Sequence, residues 1–307
     1  MKVLPFLPLL LRRPCQCCTR LSSALLKATV LELVVLAGHV LLYPTGIAGE
    51  RRPPPRPAGP TTAPAGTCAL PSEDSERPPV VLLHGFIDNR SVFVLLRRSL
   101  ARHGWRHLES LNYSPLTCDI RTAAELLGRH VEEICARTGH HEVDIVGHSL
   151  GGLIARYYVQ RLGGDQRVRT LVTLGTPHGG TAVAPLASAH PIVRQMRTGS
   201  APIEELRRPA PGCRTRFVSF WSELDRVIVP AEAACIDHPD LDALNVRVSG
   251  IGHLALPVHP TVAAAVRQAL ESRESMIEDT GATGATGTAE AAGASGTAGA
   301  AGAASVA

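Results

Sequence analysis

The sequence predicts an α/β fold: a mostly parallel sheet of about six strands with helices on both faces and no large cap domain. Three observations carry this expectation. Short all-apolar runs alternate with segments of helical period across the middle of the chain, the pattern of repeated strand–crossover–strand units. The chain has 307 residues, of which a block of roughly 200 has ordinary globular composition, enough for one well-buried core. The residues with the strongest chemical potential fall just beyond the ends of predicted strands, where parallel sheets of this kind carry their sites.

Val80-Val81-Leu82-Leu83 is apolar throughout and ends in His84-Gly85, as a buried parallel strand would. Segment 91–103 sets Val92, Leu95, Leu96 and Leu100 at helical spacing, and 107–113 fits a second strand. Asp119 can cap a helix running to about Thr138, with Ala123, Leu126, Leu127, Val131 and Ile134 on its apolar face. Val143-Asp144-Ile145-Val146 is the next strand and runs into Gly147. Residues 150–162 are helical, with Leu153, Ile154 and Tyr157 spaced to face a sheet. Strands follow at 168–174, 214–220 and 245–249, and a helix over 260–272 carries Val262, Ala265, Val266 and Leu270. Residues 176–212 lack a clear strand. They include Pro177, Pro185, Pro191 and Pro202 and apolar Val183, Leu186, Ile192, Val193 and Met196, and read either as a pocket-shaping insertion or small lid, or as a plain crossover with one helix.

Composition divides the chain into an N-terminal segment 1–50, a Pro-rich linker 51–78, the foldable block 79–275 and a Gly/Ala/Thr-rich tail 276–307. From Ala28 to Tyr43 the run is apolar except for Thr29, Glu32 and His39, and Arg12, Arg13, Arg20 and Lys27 precede it. A positive flank before an apolar helix predicts an export signal or membrane anchor, hence membrane association and a membrane-anchored or exported protein. Against this, the run is short of the span of about 20 residues a bilayer needs. Glu32 would cost about 2.5–3.5 kcal/mol near the bilayer centre, and no clean cleavage site follows. The other reading is an amphipathic helix packed on the protein's own surface. The linker is expected to be extended. The tail from Thr280 has no large apolar side chain before Val306, so it is expected to be disordered.

With 31 basic against 27 acidic residues and a net charge of +4, the chain is too balanced to suggest a nucleic-acid partner. Of eight cysteines, Cys15, Cys17 and Cys18 have no following His or Cys pair at zinc-ligand spacing. Cys213 and Cys235 bracket one segment and are a candidate bridge, although sequence alone does not fix connectivity.

Gly147-His148-Ser149-Leu150-Gly151-Gly152 satisfies Gly-x-Ser-x-Gly between a predicted strand and a predicted helix. Such a junction must turn very tightly, which pushes the serine hydroxyl into the open, and the helix start adds partial positive charge beside it. Ser149 is therefore the candidate nucleophile. The element resembles that of α/β-hydrolase lipases and esterases, nearest to small bacterial triacylglycerol lipases and actinobacterial lipase-like proteins, over about residues 79–272. The resemblance implies an α/β-hydrolase fold and an oxyanion hole made by the amides of Phe86, after His84-Gly85, and of Leu150. His84, His148 and His178 are substrate-pocket candidates, with a loop-holding role favoured for the His84 side chain.

In this fold the base follows the nucleophile, with the acid between them. Of His178, His190, His238, His253 and His259, only His253 directly follows a predicted strand. Its Gly-His-Leu-Ala-Leu context also resembles the family's histidine loop. Asp225, just past the strand ending at Trp221, is the candidate acid, with Glu223 its nearest competitor. Asp237, Asp240 and Asp242 read as turn and cap residues. Ser149, Asp225 and His253 together predict a carboxylic ester hydrolase, a lipase or esterase working through an acyl-enzyme on a lipid or other apolar acyl ester, with no metal or organic cofactor. An acyltransferase or thioesterase with the same triad, or a non-catalytic binding module on this fold, are the alternatives.

Overall fold

A computed structural model of the protein describes residues 16–47, 77–86, 88–113, 119–182, 190–272 and 303–306. Its centre is a parallel sheet. β1 (Val80–Leu83) lies between β2 (Leu108–Leu111) and β3 (Val143–His148), and β4 (Val168–Leu174), β5 (Arg216–Trp221) and β6 (Asp242–Val248) follow outward in that order. β1, β3 and β4 are buried at every position, as expected of strands covered on both faces. The chain steps outward from β1 to β2 and then back across to β3. The loops leaving β1 and β3 therefore meet at the carboxyl edge, a topological switch point.

Alternate residues feed two cores. Val80 and Leu82 join Val146 and Val172 beneath α2 (Val94–Arg102) and α7 (Pro260–Glu271). Val81 and Leu83 join Ile145 and Leu171 beneath α3 (Ile120–Thr138) and α4 (Leu150–Arg161). α3 forms where the sequence places it. The Asp119 carboxylate accepts from Thr122 N at 2.7 Å, Gly139 ends the helix in the left-handed region, and Ala123, Leu127, Val131 and Ile134 are buried. The helix expected over 91–103 opens as a 3-10 turn over Arg90–Phe93 and becomes regular only at Val94, which leaves Leu95 half exposed. Residues 190–212 form two short helices, α5 (Pro191–Gln195) and α6 (Ala201–Leu206), rather than the single helix of the plain-crossover reading. Val183 and Leu186 lie outside the described residues.

Two features depart from expectation. Ala303–Val306 form a strand, β7, parallel to β6, whereas the tail was expected to lack structure; main-chain pairing to an edge strand needs no large side chain. Cys213 and Cys235 are free thiols rather than a bridge, as is buried Cys135. Gln16–Ile47 is one helix, α1, and it packs on the central block, in line with the second of the two readings of that segment. Leu31 and Val35 lie against the α2/α7 core, while Leu26, Val30, Leu33, Val34 and Leu41 stay exposed. Among the described residues no helix is long and apolar enough to cross a membrane.

One buried ion pair ties three elements together. Arg169 on β4 grips Asp144 on β3 through Nε at 3.0 Å and Nη2 at 2.6 Å, and Nη2 also donates to the Leu270 carbonyl of α7 at 2.9 Å. Breaking such a pair leaves a buried charge without its partner. Asp144→Ala is expected to lower the unfolding free energy by about 3–5 kcal/mol, read as a reduced denaturant midpoint by circular dichroism.

Candidate active site

The site is built around the turn from β3 into α4. Ser149 sits there at φ +53°, ψ −120°, the one non-glycine residue with positive φ among those described. A serine holds that geometry only where its surroundings over-determine it. Ser149 N donates to the Leu174 carbonyl at 2.9 Å, and Thr176 Oγ1 donates to the Ser149 carbonyl at 3.0 Å. The first turn of α4 is pressed against the end of β1. A Cβ on Gly151 would overlap the Leu83 carbonyl oxygen and come within 2.6 Å of that of His84, so a side chain there would break the turn.

The loop after β1 passes directly beside the serine. A Cβ on Gly85 would lie 3.3 Å from that of Ser149, which places the next amide, Phe86, at the same edge as the Leu150 amide that opens α4. Ser149 and Phe86 line a cavity of about 200 Å³ together with Val193, Met196, Ile228 and His253. Its walls come from the loops after β1, β3, β4, β5 and β6 and from α5. The stretch after β4 therefore forms one wall of the cavity, tied by Thr181 Oγ1, which accepts from Val229 N at 3.1 Å and donates to the Val227 carbonyl at 2.8 Å.

Asp225 and His253 are in contact. His253 Nδ1 lies 2.7 Å from Asp225 Oδ2, and both residues are buried. A carboxylate can only accept, so Nδ1 carries the proton and Nε2 is left free to act. The other carboxylate oxygen, Oδ1, accepts from Val227 N at 2.8 Å and Ile228 N at 3.0 Å, which fixes its direction. Glu223, the competing acid, faces solvent and pairs with Arg247 at 2.5 Å. The backbone at Gly175 (φ +54°) runs so close to the pair that a Cβ there would come within 3.0 Å of Asp225 Oδ2 and His253 Nδ1. Burial lowers the pKa of His253, but the charge and hydrogen bond of Asp225, with Glu32 and Asp88 beyond, outweigh it and leave the imidazole above its ordinary value.

The three pocket candidates separate. His148 lines the cavity; its Nε2 meets the His253 carbonyl at 3.2 Å and its ring stands 4.9 Å from that of His253. His84 does not reach the cavity. It stacks on Tyr113 at 4.5 Å and its Nδ1 lies 2.8 Å from the Gly85 carbonyl oxygen, which holds the loop. His178 also lies away from the cavity. Its neighbour Pro177 lines the cavity, whereas His178 is buried with Nε2 3.0 Å from Thr173 Oγ1 of β4. Burial, and then the charge of Arg156, hold His178 well below the ordinary range, so it stays neutral. The remaining histidines after Ser149 have other tasks: His190 and His259 cap α5 and α7, and His238 Nε2 meets the Arg208 carbonyl at 3.0 Å.

Asp88 is a site residue that the sequence did not single out. Its carboxylate lies 3.3 Å from His148 Nδ1 and 3.4 Å from Nδ1 of His39 on α1, and it lines the cavity. Burial pushes its pKa up, but the two imidazoles outweigh that and hold it well below the ordinary carboxylate range. No sequence signal marks it, because its partners come from β3 and α1. Among the described residues no cluster of His, Cys, Asp and Glu has the grouping of a metal site.

A profile of the α/β hydrolase fold family matches residues 78–208. Triacylglycerol lipases from Pseudarthrobacter phenanthrenivorans and Burkholderia plantarii are each 30% identical to this chain over 115 residues. That stretch is 35% of this chain and 35% and 32% of theirs, so the match spans about a third of the length of either relative. The mature form of the Bacillus licheniformis lipase BlEst2 superposes with a TM-score of 0.54 at 17% identity, over 64% of this chain and 93% of that one. Aspergillus fumigatus lipase B does so with a TM-score of 0.57 at 16% identity, over 64% of this chain and 52% of that one. The strand order, the turn at the serine and these likenesses define an α/β-hydrolase fold. Over the matched third of its length the chain is similar to triacylglycerol lipases.

In a histidine NMR titration, His253 is expected to titrate above the ordinary range and His178 to stay neutral well below it. Asp225→Asn removes the charge while burial remains, so it should move His253 downward. An unmoved His253 in that variant would contradict the assigned contact.

Proposed function

We propose that the protein is a carboxylic ester hydrolase in which Ser149 is the nucleophile, His253 the general base and Asp225 the residue that orients and charges that base. The observation that carries this reading is the strained Ser149 turn opening on the same cavity as the free Nε2 face of the Asp225–His253 pair. Ser149 Oγ attacks the ester carbonyl as His253 Nε2 takes its proton. The carbonyl oxygen becomes an oxyanion held by the amides of Phe86 and Leu150, next to the positive end of α4. Collapse of the tetrahedral intermediate breaks the bond to the alcohol, which leaves with the proton from His253. Water then attacks the acyl-serine, again giving its proton to His253, and the carboxylic acid is released.

The substrate class follows from the cavity. Val193, Met196, Val227, Ile228 and Leu254 supply an apolar wall, while Asp88, His148 and His253 are the titratable groups of the lining; such a wall suits an acyl chain. Association with a lipid surface belongs to the same reading, since α1 exposes Leu26, Val30, Leu33, Val34 and Leu41. Co-sedimentation with lipid vesicles, compared with a chain lacking residues 1–50, tests that part.

Hydrolysis of p-nitrophenyl esters and labelling by a fluorophosphonate test the chemistry. Ser149→Ala and His253→Ala are each expected to lower kcat by about 10⁴- to 10⁶-fold, and Asp225→Asn by about 10⁴-fold. Absence of turnover and of Ser149 labelling in the unaltered protein would sink the reading. The base must be neutral to act, so kcat/KM should fall as pH drops through the raised pKa of His253. Met196→Trp should depress turnover of long-chain esters while acetate is still hydrolysed; equal loss on both would contradict the placement of the acyl chain.

A further inference from the structure

We propose that Glu32 of α1, more than 200 residues from the histidine loop in sequence, is a positioning residue for His253: its carboxylate pins the backbone just after the imidazole and so sets where the ring stands relative to Ser149. This rests on the reading of His253 as the general base.

Both oxygens of the carboxylate are engaged. Leu254 N donates to Oε2 at 3.1 Å and Ala255 N to Oε1 at 3.0 Å. Bonds from two consecutive amides to one ionised carboxylate are charge-assisted and directional. The residue before His253 makes room for it. A Cβ on Gly252 would fall within 2.6 Å of the carboxylate carbon, so the backbone on both sides of His253 is shaped around Glu32. The loop from Gly250 to His259 contains no helix or strand of its own. Its other ties near the histidine are Ser222 Oγ, which donates to the Ile251 carbonyl at 2.5 Å, and the His148 contact to the His253 carbonyl. Asp225 directs the ring, whereas Glu32 holds the main chain from which the ring projects.

α1 is itself held for this task. Leu31 and Val35 flank Glu32 in sequence and pack on the core, and His39, two turns on, meets Asp88. The groups facing His253 are thus Asp225 from the loop after β5, Glu32 from α1, Asp88 from the loop after β1 and the His148 ring from β3, with His39 across Asp88. The charge of Glu32 adds to that of Asp225 in favouring the protonated imidazole. An acidic residue that would be costly in a bilayer-spanning run therefore has a positional reason here.

The test uses the full chain with Glu32→Ala, Glu32→Gln, Gly252→Ala and the double variant Glu32→Ala/Gly252→Ala, with Val34→Ser, on the exposed face of α1, as control. Glu32→Ala is expected to lower kcat by about ten- to a hundredfold with KM little changed, and to move the acid limb of kcat/KM to lower pH. Glu32→Gln keeps one acceptor oxygen but loses the charge, so it should move the limb with a smaller loss of kcat. Gly252→Ala displaces the carboxylate and should mimic Glu32→Ala, and the double variant should be no worse than the poorer single. Amide hydrogen exchange over residues 250–256 should quicken in Glu32→Ala and stay unchanged in Val34→Ser. If Glu32→Ala fails to fold, the acid limb in Glu32→Gln decides. Unchanged kcat, acid limb and exchange in the folded Glu32 variants would overturn the assignment while leaving the triad intact. An unaltered protein that neither hydrolyses esters nor takes up the fluorophosphonate would overturn the triad reading, and this one with it.

Discussion

The backbone conformation at Ser149 is the constraint around which the rest is arranged. A residue with a Cβ at φ +53° is strained, and it stays so only because a strand end, a helix start and two neighbouring loops leave it no alternative. β1 and β3 must be adjacent, so that the loop after β1 can lie against the first turn of α4. The carbonyls of Leu83 and His84 meet a glycine there and would admit nothing larger. The switch-point topology delivers that adjacency, and the two cores on either side of the sheet hold it. Backbone strain at one residue is thus supported by packing on both faces of the sheet.

Charge around the site is arranged with equal economy. Three carboxylates, Asp225, Asp88 and Glu32, point toward the neighbourhood of His253 and His148, each from a different element. Burial alone would drive an imidazole toward its neutral form, as it does at His178. The contrast between His178 and His253, both deeply buried, comes from what faces them: an arginine in one case and carboxylates in the other.

Much of this was legible in the sequence, and the reasons are local. β1 and β4 are runs whose every position is buried, so apolar continuity marked them. α3 carried a cap, a stripe and a terminating glycine. Ser149, Asp225 and His253 were readable because each follows a strand, and sheet topology gathers strand ends. What stayed hidden depends on neighbours distant in sequence. Asp88 acquires its meaning from His148 and His39, and Glu32 from amides at positions 254 and 255. His178 was misplaced because proximity to a strand end suggests the cavity, whereas its ring turns to Thr173 of β4. The apolar run near the N-terminus left two readings open for a related reason: a helix that lies on a protein and one that lies in lipid share a composition.

β7 bears on how the molecule behaves in company. β6 would otherwise present an unpaired row of amides and carbonyls at the sheet's rim, the sort of template on which another chain's strand can add. Ala303–Val306 occupy that rim in parallel register from Asn245 to Val248. Pairing of this kind satisfies the rim through the main chain alone. With Asn245 to Val248 covered in this way, that length of the rim is closed to strand addition by another copy.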